Sequence, residues 1–288
     1  DIYRVGGGCH WDYMMHTYPL MQTVFGKIVM CLNPRHSSLL FLERIIFKRK
    51  HYRQITCISE QCKKEIVNHY KVSPHTIEII YNGVNISIFT PKNRTTYRDT
   101  VRATYGIAPD EVLLLFVGSG FKRKGLKYVI EALSLINKSQ KTKLLVVGKG
   151  TIREHQRLAR KNGVLDKLIF AGVCKHIQEI YAGGDIFVFP SEYDAFGTAC
   201  LEAMASGLPV IASKSSGVSE IIAQGQDGFV IHHPIDAREI AKYMNVLFTK
   251  EKREQMGCAA RQKAEMYSFE ANTEKTLQVY RNVLNIHH

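Results

Sequence analysis

Short apolar segments alternate with amphipathic ones through the second half of the chain. The apolar segments lack strict alternation of polar and apolar side chains, which is typical of parallel strands covered on both faces. The intervening segments have apolar positions at helical spacing, notably Leu126–Ile136 and Ile152–Lys161. A final helix is expected from about Phe269 to Leu284. This pattern predicts a doubly wound α/β domain with strands at Val112–Val117, Leu144–Val147, Leu168–Ala171, Ile186–Phe189, Pro209–Ala212 and Phe229–Ile231.

The first part of the chain shows a shorter version of the same pattern. Gln54–Ile58 and Thr76–Ile80 are predicted strands on either side of a helix over Glu60–Tyr70, which Ser59 can cap. Turn and linker residues follow, from Tyr81 to Pro91. We therefore predict domains over residues 1–90 and 91–268, and a C-terminal helix over residues 269–288. The chain opens without Met on Asp-Ile-Tyr-Arg-Val, which indicates a strand already in progress and a missing N-terminus.

The segment from Pro190 to Pro209 carries the first candidate chemistry. It follows a predicted strand and runs through an acidic loop into a predicted helix and the next strand, and such βαβ units bind ligands at the carboxyl ends of their strands. Asp194 and Glu202 lie eight positions apart across the junction of loop and helix. They can face a phosphorylated sugar beside the free N–H groups of the helix start. Alternatively, they are ordinary acidic residues favoured by the helix dipole.

A Gly-rich basic turn follows the first predicted strand of the second domain, with the sequence Gly-Ser-Gly-Phe-Lys-Arg-Lys-Gly over residues 118–125. A turn of this kind at the start of a helix, with two or three cations, can bind an anion. It lacks the spacing of a P-loop or of a dinucleotide fingerprint. It is therefore either a phosphate-binding turn or a βα turn with a solvated basic edge.

Together these segments resemble glycosyltransferase family 4, whose members are retaining enzymes of the GT-B architecture with two Rossmann-like domains. The resemblance rests on the spacing of an E-x7-E signature, the surrounding Ala-Phe-Gly, the Leu-Glu-Ala-Met-Ala-Ser-Gly-Leu-Pro continuation and a later Gly-Val-Ser-Glu-Ile-Ile. The basic turn and the opening Gly-Gly-Gly-Cys-His-Trp resemble the lipopolysaccharide-core glucosyltransferases of that family. One residue departs from the pattern, because Asp194 stands where the family has Glu.

The resemblance implies a binding site for a nucleotide-diphosphate sugar, expected to be a UDP-hexose. It implies that Arg123 and Lys124 stabilise the diphosphate. It further implies that Glu202 holds the ribose and that Asp194 holds the transferred sugar. Neither a metal nor a bound cofactor is expected, because in GT-B enzymes this arrangement makes a divalent ion unnecessary. The remaining expected donor-binding residues are Gly118, Ser119, Gly172, Val173, Ala195, Phe196, Gly197 and Thr198.

The net charge of +13 predicts an anionic partner. Large apolar side chains over residues 13–30 and at Leu39–Leu42 precede a basic cluster, which suits an anionic membrane surface. A core helix beside a solvated basic helix is the alternative, but the resembled subgroup is peripheral to the cytoplasmic membrane. No nucleic-acid-reading motif is recognisable. The basic cluster consists of Arg44, Lys48, Arg49, Lys50 and Arg53.

The cysteine and histidine positions bear on the redox state of the protein's compartment and on metal binding. The seven cysteines are scattered and without CxxC pairing, which indicates a reducing compartment. The sequence contains no run of about 18 apolar residues, so no membrane-spanning helix is predicted. Cys9, His10 and His16 lack metal-ligand spacing, so we interpret them as packed or surface residues.

The sequence thus predicts a retaining, metal-independent hexosyltransferase on the cytoplasmic face of the membrane, acting on a lipopolysaccharide core or related glycan. Another lipid-linked or soluble acceptor remains open. So does a nucleotide-sugar-binding module without turnover, because Asp replaces Glu and the family's N-terminal Gly-rich loop and acceptor-side histidine have no counterpart. The sequence does not predict the oligomeric state.

Overall fold

The computed structural model describes residues 2–49, 52–137, 139–233 and 235–284, and the chain forms two compact units. The first unit runs to Gly83 and also includes the loop Tyr193–Phe196 and the segment from Phe269 onward. The second unit comprises Val84–Glu192 and Gly197–Ser268. The division falls between Gly83 and Val84, whereas the sequence analysis places a boundary near residue 90.

The first unit contains a parallel sheet of order β1-β2-β3. Ser59 caps the helix α4, since its Oγ accepts a hydrogen bond from the Cys62 N–H at 3.1 Å, so the predicted cap is confirmed. Apolar side chains such as Ile55 and Ile66 are fully buried in its core. Its elements are β1 (Ile2–Val5), α1 (His10–Thr17), α2 (Val24–Leu32), α3 (Pro34–Arg49), β2 (Gln54–Cys57), α4 (Glu60–Tyr70) and β3 (Ile77–Ile79), together with the last helix of the chain, Phe269–Leu284.

The second unit contains a parallel sheet of order β6-β5-β4-β7-β8-β9, and every strand predicted there is confirmed with small shifts at its ends. Its elements are α5 (Asn93–Thr104), β4 (Val112–Val117), α6 (Leu126–Leu135), β5 (Thr142–Val147), α7 (Ile152–Lys161), β6 (Leu168–Gly172), α8 (Ile177–Gly183), β7 (Ile186–Phe189), α9 (Thr198–Ala205), β8 (Val210–Ser213), β9 (Gly228–Ile231), α10 (Ala237–Leu247) and α11 (Lys250–Glu265). The last helix, Phe269–Leu284, is therefore α12.

The strand order of the second unit creates a topological switch point between β4 and β7. From β4 the chain moves outward to β5 and β6, and it then returns to build β7, β8 and β9 on the other side. The connections that follow β4 and β7 therefore lead to opposite sides of the sheet, and folds of this kind bind ligands at the carboxyl edge beside such a point. Both loops carry residues that the sequence analysis singles out.

An ionic cluster at the opposite, amino end of β7 anchors helix α5 to this sheet. Asp185 is buried, and its carboxylate accepts from Arg98 at 2.8 Å and from Arg102 at 3.1 Å. Arg94 lies at 3.4 Å, and the Leu113 N–H at the start of β4 donates to the same carboxylate at 2.8 Å. The cluster therefore fixes the central strands relative to α5.

Candidate functional site

Direct hydrogen bonds join the loops that follow β4 and β7. The carbonyl oxygen of Arg123 accepts from the Glu192 N–H at 2.8 Å and from the Ser191 hydroxyl at 3.3 Å. Gly125 has φ +77°, and a Cβ there would overlap the carbonyl oxygen of Pro190. Only glycine allows both this left-handed conformation and this close approach. The basic turn is thus held in one position beside the start of the acidic loop.

Lys124 lies over the end of β7. Its Nζ is 4.8 Å from the ring centroid of Phe189, a distance at which a cation is attracted to the aromatic face. Its side chain also passes next to Gly118, where an added Cβ would lie 3.5 Å from Lys124 Cγ. Lys124 and Arg123 are both half-buried. The structure therefore brings Gly118, Arg123 and Lys124 together at the switch point.

The turns that follow β4, β5 and β6 form a row along the same edge of the sheet. The Gly148 N–H donates to the Gly172 carbonyl at 2.7 Å, and the Lys149 N–H donates to Ser119 Oγ at 3.3 Å. A side chain at Gly148 would overlap the carbonyl oxygen of Gly118. Backbone groups of three predicted donor-binding residues are therefore arranged side by side. Ser119, Val173 and Thr198 are exposed to solvent.

Glu202 lies in α9 and contacts the neighbouring helix α8. Its Oε2 accepts a hydrogen bond from the Tyr181 hydroxyl at 2.9 Å, and Tyr181 is fully buried. Burial raises the pKa of the Glu202 carboxyl, and the hydrogen bond from Tyr181 offsets part of that rise. The carboxylate is thereby oriented before any ligand arrives. The N-cap residue of α9 is Gly197, whose φ of +94° is again in the left-handed region.

The acidic loop Tyr193–Phe196 packs within the first unit. The Ser59 hydroxyl, which caps α4, also donates to the Ala195 carbonyl at 2.8 Å. The Tyr193 hydroxyl donates to Glu65 Oε2 at 2.9 Å. Hydrogen bonds to α4 therefore anchor the loop on both sides of Asp194.

Asp194 itself is half-buried, and its Oδ1 accepts from the Phe196 N–H at 3.2 Å. A carboxylate that bonds to the backbone two residues further on stabilises a tight turn. Phe196 is buried, with its ring 6.1 Å from that of Tyr81. The shorter Asp side chain thus has a local structural role at the position where the family has Glu.

The predicted site residues are divided between the two units. Arg123, Lys124, Glu202, Gly118, Ser119, Gly172, Val173, Gly197 and Thr198 belong to the second unit, and Asp194, Ala195 and Phe196 belong to the first. Glu192, which has the wrong spacing for the signature, pairs with Lys127 at 2.8 Å and accepts from the Tyr128 hydroxyl at 3.0 Å.

The sequence analysis missed the supporting side chains of the site. Ser191 and Tyr193 lie beside the acidic signature, so their position next to Asp194 was an available signal. Tyr181 and Glu65 lie in other helices and have no local pattern that points to the site.

The first unit contains a cavity of about 460 Å³ that the sequence did not predict. Near its floor, His10 Nε2 and His36 Nδ1 are 2.9 Å apart, and the Glu43 carboxylate accepts from the His10 N–H at 2.9 Å. Burial lowers the pKa of His10, and the neighbouring His36 and Arg35 lower it further. The cavity is lined by aromatic, polar and aliphatic side chains, among them Tyr13, Tyr18, Arg35, Leu39 and Leu42.

Cys9, Asp12 and Glu65 form a group of possible metal ligands, with ligand atoms within 4.8 Å of one another. Burial raises the pKa of the Cys9 thiol, and a protonated thiol is a poor ligand. Glu65 already accepts hydrogen bonds from the Cys9 N–H and the Tyr193 hydroxyl. We therefore assign no metal to this group.

The helices α2 and α3 combine an exposed apolar face with exposed cations. Val24, Phe25 and Leu32 are 77%, 72% and 74% exposed, whereas Met14 and Met21 are buried. Arg44, Lys48, Arg49 and Arg53 are exposed, and Lys50 lies outside the described residues. Among the helices that the structure describes, none has the length and apolar character needed to cross a bilayer.

Two family models match the chain. Residues 97–263 match the model described as Glycosyl transferases group 1, and residues 8–88 match the model described as Glycosyltransferase Family 4. The first model covers more than half of the chain, so the chain belongs to the group 1 glycosyl transferases. The resemblance inferred from the two sequence motifs is thereby confirmed.

Characterised relatives differ in the reactions that their names describe. The chain is 28% identical over 221 residues to the lipopolysaccharide glucosyltransferase WaaG of Escherichia coli K12, which covers 76% of this chain and 59% of that protein. It is 30% identical over 224 residues to the sulfoquinovosyl transferase SQD2 of Arabidopsis thaliana, which covers 74% of this chain and 41% of that protein. The chain thus spans about half the length of the curated relatives it matches.

Solved structures show the same fold. The crystal structure of WaaG, a glycosyltransferase involved in lipopolysaccharide biosynthesis, superposes with a TM-score of 0.81 at 24% identity, covering 97% of this chain and 74% of that one. The crystal structure of Anabaena HepE in complex with UDP and glucose superposes with a TM-score of 0.76 at 19% identity, covering 87% of this chain and 69% of that one. The predicted α/β fold of GT-B type, with two Rossmann-like domains, is confirmed.

Proposed function

We propose that this chain acts as a retaining, metal-independent glycosyltransferase that moves a hexose from UDP-hexose to a lipopolysaccharide core or related glycan. The observation that carries the proposal is the switch point of the second unit. There the turn bearing Arg123 and Lys124 is hydrogen-bonded to the loop that leads into the acidic signature. The name of WaaG and the UDP and glucose bound to HepE support the choice of donor and acceptor class.

The proposed chemistry follows from the charges at this edge. Breaking the bond between the anomeric carbon and the diphosphate oxygen leaves negative charge on the departing UDP. Lys124, Arg123 and the N-terminus of α9 would stabilise that charge, and fixed donors of this kind are most effective where water is excluded. The carboxylate of Glu202, oriented by Tyr181, would accept hydrogen bonds from the ribose hydroxyls. Asp194, with the backbone of Ala195 and Phe196, would hold the transferred hexose.

The cavity in the first unit supports a glycan acceptor. Tyr13 and Tyr18 offer aromatic faces, while His10, His36 and Glu43 offer polar atoms for sugar hydroxyls. Sites for small polar ligands combine an apolar wall with a few converging polar groups in this way. Leu39 and Leu42 line the same cavity and are exposed, so a lipid attached to the glycan could lie beside it.

The exposed face of α2 supports association with the cytoplasmic surface of an anionic membrane. An apolar face on a short helix can insert among lipid headgroups, and nearby Lys and Arg side chains add attraction to anionic lipid. Phe25 and Leu32 provide the apolar part, and Arg44, Lys48 and Arg49 provide the charge. Membrane association of this kind would suit a lipid-linked glycan as the acceptor.

A comparison of two lysines in one turn tests the proposed donor site. Replacing Lys124 with Ala should weaken UDP binding and lower UDP-glucose turnover by on the order of a hundredfold, the usual cost of one preorganised donor. Replacing Lys122, which is exposed in the same turn, should change neither. Calorimetry with UDP and a coupled assay for released UDP measure the two effects. Wild-type binding and turnover in the Lys124 variant would rule out the assignment.

The departure at Asp194 gives a second candidate function, a nucleotide-sugar-binding module without turnover. The same two measurements separate it from the enzyme. UDP binding that depends on Lys124, without hydrolysis of UDP-glucose and without transfer to lipopolysaccharide core acceptors, would favour the binding module.

A further inference from the structure

A buried carboxylate in the first unit joins three segments that are far apart in sequence. Glu65, in α4, is only 9% exposed. Its Oε2 accepts from the Cys9 N–H at 3.0 Å and from the Tyr193 hydroxyl at 2.9 Å, while its Oε1 accepts from the Gln61 amide at 3.0 Å. The carboxylate therefore connects the loop after β1, helix α4 and the acidic loop.

Neighbouring residues restrict the position of the Tyr193 hydroxyl. The side chain is 2% exposed, and the ring of His16 stacks on it at 5.2 Å with an interplanar angle of 8°. Gly8 has φ +74°, and a Cβ at that position would collide with the Tyr193 hydroxyl. The glycine after β1 thus provides the space in which the hydroxyl reaches Glu65.

We propose that Glu65 and Tyr193 form a positioning pair that sets the conformation of the loop carrying Asp194. Asp194 directly follows Tyr193, and the Ala195 carbonyl beyond it is held by Ser59. A residue fixed on both sides by hydrogen bonds to one helix cannot move without breaking one of them. Neither Glu65 nor Tyr193 contacts the donor in this scheme, so both act through Asp194. The role in transfer rests on the proposed function, but the effect on the loop does not.

The charged state of Glu65 suits this task. An ionised carboxylate accepts two donors on one oxygen, and hydrogen bonds to a charged acceptor are the stronger kind. Burial raises the pKa of Glu65 to about 6, and the nearby Asp12 adds to the rise, while the bonds from Cys9, Gln61 and Tyr193 oppose it. Among the described residues, the other titratable groups near the pair are Cys9, Cys57, Cys62 and His16.

The test uses Glu65→Gln, Tyr193→Phe, the double variant, and Glu78→Gln as a control at an exposed carboxylate of the same unit. We expect each single variant to lower the kcat of UDP-glucose hydrolysis about tenfold, which is near the lower end of the value of one hydrogen bond to a charged acceptor, and to leave the Kd for UDP unchanged. Glu65→Gln removes the charge of the acceptor and so weakens this hydrogen bond, whereas Tyr193→Phe removes its donor. The double variant should therefore be no worse than Tyr193→Phe alone. The control should match the wild type.

Two further measurements separate positioning from general stability. Hydrogen exchange of the Phe196 amide, which donates to Asp194, should speed up in both variants while the amides of β4 stay unchanged. The kcat of the wild type should fall as the pH is lowered through about 6, where Glu65 takes up a proton, and Glu65→Gln should lack that inflection.

The effect on the loop and the role in the reaction can be refuted separately. Unchanged exchange at Phe196 in both variants would overturn the positioning pair, whatever the activity. Faster exchange with unchanged kcat would overturn its role in the reaction. A wild-type protein without any UDP-glucose turnover would count against the proposed function, and the exchange measurement would still decide the effect on the loop.

Discussion

Replacing Asp185 with Asn tests the ionic cluster that anchors α5 to the sheet of the second unit. The side chains of Asp185 and Arg102 are each 5% exposed, so the substitution leaves a buried guanidinium without its counterion. Breaking a buried pair by removing one partner costs about 3–5 kcal/mol. Arg94 and Arg98 are 33% and 24% exposed and add less, because water screens them. Asn can still accept from the Leu113 N–H, so we expect a loss of about 3 kcal/mol.

The pKa of Asp185 determines how the stability difference between the wild type and Asp185→Asn depends on pH. Burial alone would raise the pKa of Asp185, but Arg98 and the Leu113 N–H more than offset it, and the pKa lies below its ordinary value. A carboxylate with a depressed pKa contributes stability that is fully present above its unfolded pKa and is lost as the pH falls through the folded one. The gap between wild type and Asp185→Asn should therefore stay constant above about pH 4 and narrow below it.

Urea unfolding followed by circular dichroism measures the change in stability, and hydrogen exchange of the β4 amides assigns it to the second unit. Asp110→Asn is the matched control, because Asp110 pairs with Lys141 at 2.6 Å on the surface, where both side chains are exposed. That control should leave the unfolding midpoint unchanged. An Asp185→Asn protein with the wild-type midpoint and wild-type exchange in β4 would refute the reasoning.

Three further predictions concern the proposed site and the membrane surface. Gly125→Ala should destabilise the protein and weaken UDP binding, because it combines left-handed strain of about 1–2 kcal/mol with a collision at Pro190. Gly106→Ala, at φ +62° in open space, should show the strain alone in urea unfolding and keep its UDP affinity. Asp194→Asn should lower the transfer rate and leave UDP affinity unchanged, whereas Glu202→Gln should weaken UDP binding in calorimetry. If both variants have the wild-type transfer rate and the wild-type affinity for UDP, the proposed donor site is wrong. Sedimentation with anionic vesicles should be strong at low salt and weaker after Lys48 and Arg49 are replaced with Ala, and equal sedimentation with neutral vesicles would argue against the electrostatic contribution.

Most of the secondary structure of the second unit could be predicted from the sequence. Its strands are buried on both faces, so each is a continuous apolar run that neighbouring residues alone reveal. β7 at Ile186–Phe189 and α7 at Ile152–Lys161 have the predicted bounds. The motif residues could be found for the same reason, because Asp194, Glu202 and the turn with Arg123 and Lys124 follow predicted strands at short range.

Only the tertiary structure decided which of these residues are supported by others, and by what. Glu65 and Tyr193 are separated by 128 positions, and Tyr181 and Glu202 by 21, yet each pair forms a hydrogen bond. Such pairs depend on how helices pack and on the strand order that places β4 beside β7. The spacing of apolar residues indicates which face of a helix or strand is buried, but it does not indicate which element packs against that face. The candidate residues of the proposed site could therefore be found from the sequence, whereas the side chains that hold them in position depend on long-range packing.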